Sequence, residues 1–99
     1  MTQNQLSSED YLAWLRERLD PDSERWECDP VTAERMVELD VTPMDIFRVL
    51  RTSKNASCEY EGGCFVVRGK DLDERDLAIV VAPPSAKNRV RVIKFWIET

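Results

Sequence analysis

Ninety-nine residues are enough for one domain with one modest core, since a chain of this size buries roughly 65 % of the surface it exposes when unfolded. An apolar content of 42 % with three Trp, three Phe and two Tyr excludes a disordered chain, and no apolar run approaches the ~20 residues that span a bilayer. The net charge of −5 is uneven, −7 over residues 1–50 and +2 over residues 51–99, and an acidic body disfavours a general nucleic-acid binder, whose affinity comes from phosphates neutralised by Lys and Arg.

The opening "MTQNQLSSED" lacks the basic and apolar regions of a secretion signal, which points to the cytoplasm and away from membranes. Residues 1–6 read as a loose end. A helix can start at Ser7 or Ser8, with Glu9 and Asp10 in its first turn and Tyr11, Leu12, Leu15 and Leu19 along one face. Asp20-Pro21-Asp22-Ser23 should end it. Trp14 falls near the apolar face and Trp26 in the connection that follows, both as core or rim packing.

Asp29 is a fitting N-cap with Pro30 at the first helical position, and Ala33, Met36 and Val37 form the expected buried stripe of a second helix. Thr42 and Pro43 repeat the device, with Asp45 completing a shortened capping box. Ile46, Phe47, Val49 and Leu50 then face the core from a third helix that stops near Arg51 to Ser53. The period changes after this point. "SCEYEGGCFVVRG" reads as strand, Gly-Gly turn and strand, "LAIVVAP" as a central strand and "RVRVIKFWIE" as the last. The acidic "DLDERD" reads as a solvated turn and "PPSAKNR" as a loop. The expected fold is α+β, with about three N-terminal helices packed on one face of a four-stranded antiparallel β-meander.

Cys28, Cys58 and Cys64 are an odd count without CxxC spacing, so neither a metal site nor a disulfide framework is expected. With Gly62 and Gly63 as the turn, Glu61 pairs with Cys64, Tyr60 with Phe65, and Cys58 with Val67. That register puts Cys58 and Cys64 on opposite faces of the sheet.

The unit "AERMVELDVTPMDIFRVLR", followed by "EYEGGCFVVRG", "LAIVV" and "RVRVIKFW", resembles a bacterial domain-of-unknown-function family allied to RelE- and ParE-type toxins. That family's signature runs His-Ala-x-x-Arg-Met, then Ile-(Ser/Thr)-x-x-(Asp/Glu)-(Ile/Val), a helix and a β-meander. Arg35 and Met36 match the first part, and Val41-Thr42-Pro43-Met44-Asp45-Ile46 the second. The resemblance covers about residues 29–98 as a toxin-like core within a single domain of 1–99, and leaves 1–28 as an N-terminal helical extension. The family's histidine falls on Val31, and the chain has no histidine. A valine exchanges no proton, so the usual general acid or base is missing.

Ribonuclease chemistry on this scaffold would have to use Arg35, Arg68, Lys70 and Arg91 to hold phosphate and Glu34 or Tyr60 to move protons; Lys54 and Lys94 are further cations, and Glu98 a further carboxylate. For Arg35 the plainer reading is a surface ion pair with Glu38, and a third is a structural arginine tying helix to sheet. If the last strand is regular, Arg91, Ile93, Phe95 and Ile97 face the core while Val90, Val92, Lys94, Trp96 and Glu98 share the other face. Val92, Lys94 and Trp96 beside Arg68 and Lys70 would then form a binding stripe for RNA by charge and stacking, or for a protein. A solvated face, with Trp96 packed on aliphatic stems, is the plainer alternative.

The expected function is therefore a small non-catalytic binding protein of bacterial or phage type, needing no cofactor or metal, that inhibits another macromolecule as an immunity or anti-defence protein does. Its partner is expected to be a protein before RNA, with DNA disfavoured by charge, and the acidic helical half would steer the encounter. The competing expectation is an endoribonuclease toxin of a toxin-antitoxin pair with a RelE-like fold.

Overall fold

A computed structural model describes residues 7–19, 26–60, 63–83 and 90–98, with 58–60 described through their backbone. Its elements in chain order are α1 (Ser8–Arg18), β1 (Trp26–Cys28), α2 (Pro30–Glu38), α3 (Pro43–Thr52), β2 (Asn55–Tyr60), β3 (Cys64–Lys70), β4 (Asp76–Val81) and β5 (Val90–Glu98). The expected loose end at 1–6, the helix stop at 20–23, Gly62 and most of the "PPSAKNR" loop lie outside the described residues, as do the side chains of Cys58 and Tyr60.

All three helices start where their caps place them. Ser7 accepts from the Asp10 N–H, Asp29 from the Thr32 N–H and Thr42 from the Asp45 N–H. Each side-chain oxygen takes up an amide that the helix itself cannot satisfy. The last cap is a full box, because an Asp45 carboxylate oxygen accepts the Thr42 N–H at 2.8 Å. The other oxygen accepts the Leu72 N–H at 3.0 Å and so ties α3 to the β3–β4 turn.

Burial is the largest influence on Asp45 and pushes its pKa up, but the amide bonds from Thr42 and Leu72, the Thr42 hydroxyl and the Arg75 charge together outweigh it, leaving the carboxyl below its ordinary value. A depressed carboxyl adds stability above the unfolded value of about 3.9, and this is lost as pH falls through the lower folded value. Asp45→Asn is accordingly expected to cost about 1–2 kcal/mol at neutral pH. Urea midpoints measured down the acid limb should show that deficit shrinking.

Strands β2 to β5 form the expected meander, but the sheet has five strands in the order β1-β5-β4-β3-β2. The four-stranded expectation is corrected by Trp26–Cys28, which pairs in parallel with Val90–Val92. Trp26 therefore lies in a strand and packs against the core rather than sitting in a connection. Strand β4 occupies the centre, and Leu77 to Val81 are all buried, as a run with both faces covered requires.

The main core lies between the helices and one sheet face. It joins Tyr11, Leu12, Leu15 and Leu19 of α1 and Ile46, Val49 and Leu50 of α3 to Phe65, Val67, Leu77, Ile79 and Val81. A smaller cluster of Val66, Ala78 and Val80, with Cys64, Ile93 and Trp96 packed on it, occupies the other face. No helix among the described residues is long and apolar enough to cross a membrane.

Three expectations change at this level. The buried stripe of α2 is Thr32 and Met36; Ala33 is exposed, and Val37 is 82 % exposed. The Thr32 hydroxyl can be buried because it donates to the Ile93 carbonyl at 3.1 Å. In the β2–β3 hairpin Tyr60 pairs with Cys64 and Ala56 with Val67, with a bulge between Ser57 and Tyr60. The register thus differs from the one a two-residue Gly-Gly turn implies. Gly63 sits at φ 77°, the left-handed position that longer hairpin loops give to glycine.

The third change is in β5, where pairing runs from Val81↔Val92 directly to Val80↔Lys94. The extra residue reverses the alternation. Val90 and Val92 therefore share the helix-side core with Phe95 and Ile97, whereas Ile93 and Trp96 pack on the opposite face and Arg91 is exposed.

Gly69 on β3 lies under α3, and an added Cβ would stand 3.3 Å from the Val49 Cγ1 and 3.6 Å from the Ser53 Cβ. Gly69→Ala is expected to destabilise by about 1 kcal/mol and Gly69→Val by more, as overpacking does. Denaturant unfolding followed by tryptophan fluorescence would measure both.

Candidate binding cleft

Strand β1 ends at Cys28, Asp29 caps the next helix, and the chain turns away from the sheet after pairing with only three residues of β5. Where β1 stops, a cleft of about 520 Å³ opens between the start of α2 and β5. It is lined by Asp29, Val31, Thr32 and Arg35 from α2 and its cap, and by Ile93, Lys94, Phe95 and Trp96 from β5. Val31 is 69 % exposed.

The electrostatics of the cleft are simple. Asp29 is held below the ordinary carboxylate range, first by the Thr32 N–H and more weakly by the Arg91 charge. Its charge thus completes the N-terminus of α2. Lys94 stands 6.0 Å from the Trp96 ring centre, at the limit of a cation–π contact. Among the described residues neither Arg35 nor Lys94 enters an ion pair. The surface pair expected between Arg35 and Glu38 does not form.

Of the expected binding residues, Lys94 and Trp96 meet in the cleft and three others do not. Val92 is buried in the helix-side core because of the β5 bulge. Arg68 stands in the same row as Trp96, with Ala78 between them, which puts their backbones roughly 10 Å apart. Its guanidinium turns to Glu98 at 3.2 Å and lines a separate cleft with Gly69, Asp76 and Leu77. Lys70 pairs with Asp76 at 2.8 Å.

The residues expected to act as a ribonuclease set are similarly dispersed. Arg35 lines the cleft, whereas Glu34 and Arg91 are exposed and absent from its walls, and the Tyr60 side chain lies outside the described residues. The described lining residues beyond the expected set are Asp29, Thr32, Ile93 and Phe95. Only the N-cap role of Asp29 has a signal in the sequence.

The structural arginine is Arg75, not Arg35. Its Nη1 and Nη2 donate to the carbonyls of Leu39 and Asp40 at the end of α2, at 3.0 and 2.9 Å, and its Nε donates to buried Asp71 at 2.7 Å. The acidic "DLDERD" turn is thus an anchored hub rather than a solvated turn. It holds the far end of α2 while Thr32 holds the near end on Ile93, and the cleft lies along a helix fixed at both ends. Among the described residues no cluster of three or more His, Cys, Asp or Glu side chains could hold a metal ion.

Comparisons with family models, with curated proteins and with solved structures find no match to this chain.

Proposed function

We propose that this chain is a non-catalytic binding protein that uses the α2–β5 cleft to clasp and inhibit another protein in the cytoplasm, in the manner of an immunity or anti-defence protein. The observation that carries this reading is the chemistry of the cleft wall. Its polar side chains are a carboxylate held ionised as a helix cap, a threonine hydroxyl given to a backbone carbonyl, a guanidinium and an ammonium. Val31 stands where a proton-exchanging imidazole would serve catalysis in the toxin-allied family that the sequence resembles. What the wall offers is recognition: two cations, an indole and aliphatic surface, the side-chain types that anchor interfaces.

The same cations and indole also suit RNA, which supports the RelE-like endoribonuclease as the second reading. Two experiments separate them. Purified protein incubated with ribosomal and messenger RNA is expected to leave both intact, and cleavage that disappears in Arg35→Ala would establish the ribonuclease. In affinity capture from the source cells, a stoichiometric protein partner is expected on the native chain and should be lost from the Arg35→Glu, Lys94→Glu double variant.

A further inference from the structure

Strand β5 is nine residues long and β1 only three. Beyond Val92 the side of β5 that faces away from β4 has no strand partner among the described residues. The first exposed group on that side is already taken, since the Ile93 carbonyl accepts the Thr32 hydroxyl. That bond fixes the direction of every later group. In a trans peptide the C=O and the following N–H point opposite ways, so the Lys94 N–H points toward β4. From Lys94 to Glu98 the pairing with β4 advances one residue at a time, so the amide and carbonyl of each residue share a side. The N–H and C=O of Phe95 and of Ile97 therefore point outward, away from β4, with Phe95 in the cleft wall.

Phe95 is only 3 % exposed because its ring belongs to the helix-side core, yet it lines the cleft. The register turns its N–H and C=O to that side. Among the described residues the cleft thus has an unpaired strand edge between Arg35 on α2 and the side chains of Lys94 and Trp96. An unpaired edge is a template for another strand, and strand addition is a recurring mode of peptide recognition. The charge specifies the guest. On a chain of net charge −5, the cleft wall carries two cations, Arg35 and Lys94, against one carboxylate, Asp29, which is engaged by the Thr32 N–H, and among the described residues neither cation enters an ion pair.

We infer that the β5 edge at Phe95 and Ile97 is a docking site for an extended acidic segment of a partner protein, which adds to the sheet as a sixth strand beside Arg35, Lys94 and Trp96. Residues of the added strand on the Lys94 face would stand about 5 Å from it across the pair, so a strand with its carboxylates on that face meets the ammonium. This inference rests on the binding-protein reading and names the chemistry of the partner at that same cleft.

The test uses the full chain and three capped decapeptides: one alternating Glu and Val, one alternating Lys and Val, and the Glu-Val peptide N-methylated at alternate residues. Binding is read by fluorescence anisotropy, and strand addition by the exchange rates of the Phe95 and Ile97 amides in NMR. The Glu-Val peptide is expected to bind saturably and to slow exchange at both amides, while the other two bind at least about tenfold more weakly. The Arg35→Glu, Lys94→Glu double variant changes exposed side chains only; it should keep the native spectrum and lose the peptide. Absence of saturable binding, equal binding of the Lys-Val or N-methylated peptide, or binding that leaves the two amides unprotected would each overturn the inference. So would amides already protected in a chain that sediments as a dimer, which would assign the edge to a second copy. A chain that cuts no RNA and ignores the Glu-Val peptide removes this site alone, whereas RNA cleavage lost in Arg35→Ala removes the binding-protein reading itself.

Discussion

Replacing Asp71 with alanine is expected to destabilise the fold by about 3 kcal/mol, the lower end of the range for breaking a buried ion pair from one side. Asp71 is 1 % exposed. One of its oxygens accepts the N–H groups of Asp73 and Arg75, both at 2.8 Å, and the other accepts the Arg75 Nε at 2.7 Å. Alanine leaves two amides and a half-buried guanidinium without that acceptor, and each unsatisfied group carries its own desolvation cost. Arg75 is the hand that grips α2, so the loss reaches the Leu39 and Asp40 carbonyls as well. Arg75→Met is expected to cost about 2 kcal/mol, because Asp71 then keeps its two amides but loses its cation. The two substitutions break one network, so the double variant should fall short of the sum of the singles. Urea unfolding of the four chains would decide it; additive losses would mean that Asp71 and Arg75 act separately.

This hub was not legible in the sequence, and the reason is physical. "DLDERD" has the composition of a solvated turn, and composition cannot say that the turn folds back on its own amides. Asp40, which receives Arg75, is itself unusual. It sits at φ 55° while the Val41 N–H returns to the Met36 carbonyl and the Asp40 N–H to the Val37 carbonyl. That is a Schellman ending with aspartate where glycine is commoner. Local signals that act within four residues were readable throughout: the three caps, the two prolines behind them, the apolar face of α1 and the buried run of β4. Each is decided by the chain's own neighbours.

What the sequence hid depends on partners distant in the chain. Strand β1 is too short to show a period and exists only because β5 is beside it. The β5 bulge is invisible in "RVRVIKFWIE", yet one extra residue moves Val92 into the core and Arg91 out of it. The candidate site was therefore half legible. Arg35 is singled out by its helix position beside Met36, Lys94 and Trp96 by the strand pattern, and these meet in one cleft. Arg68 and Lys70 share only a sheet face with them, and each has a carboxylate of its own within 3.2 Å.

Truncating Tyr11 to alanine is expected to cost more than the loss of Asp71, about 4 kcal/mol. Its ring is wholly buried, stacked on Phe65 with centroids 3.8 Å apart and flanked by Trp14 at 5.7 Å. Its hydroxyl donates to the Ala82 carbonyl at 2.7 Å. One side chain thus joins α1 to β3 and to the residue just beyond β4. Tyr11→Phe keeps the stack and leaves the carbonyl unmet, for about 1 kcal/mol at neutral pH. The two variants also separate packing from protonation. Burial, with the charge of Cys64 second, raises the Tyr11 phenol well above its ordinary value. A phenol raised on folding adds stability that is complete below the unfolded value of about 10 and drains as pH climbs through the folded one. Phenylalanine has no such contribution. The deficit of Tyr11→Phe relative to the native chain should consequently narrow above about pH 10, while that of Tyr11→Ala, dominated by lost packing, should stay large. Parallel urea midpoints measured from neutral to alkaline pH would show the difference. A Tyr11→Phe deficit that stays constant through the alkaline range would mean that the phenol ionises as readily in the fold as out of it.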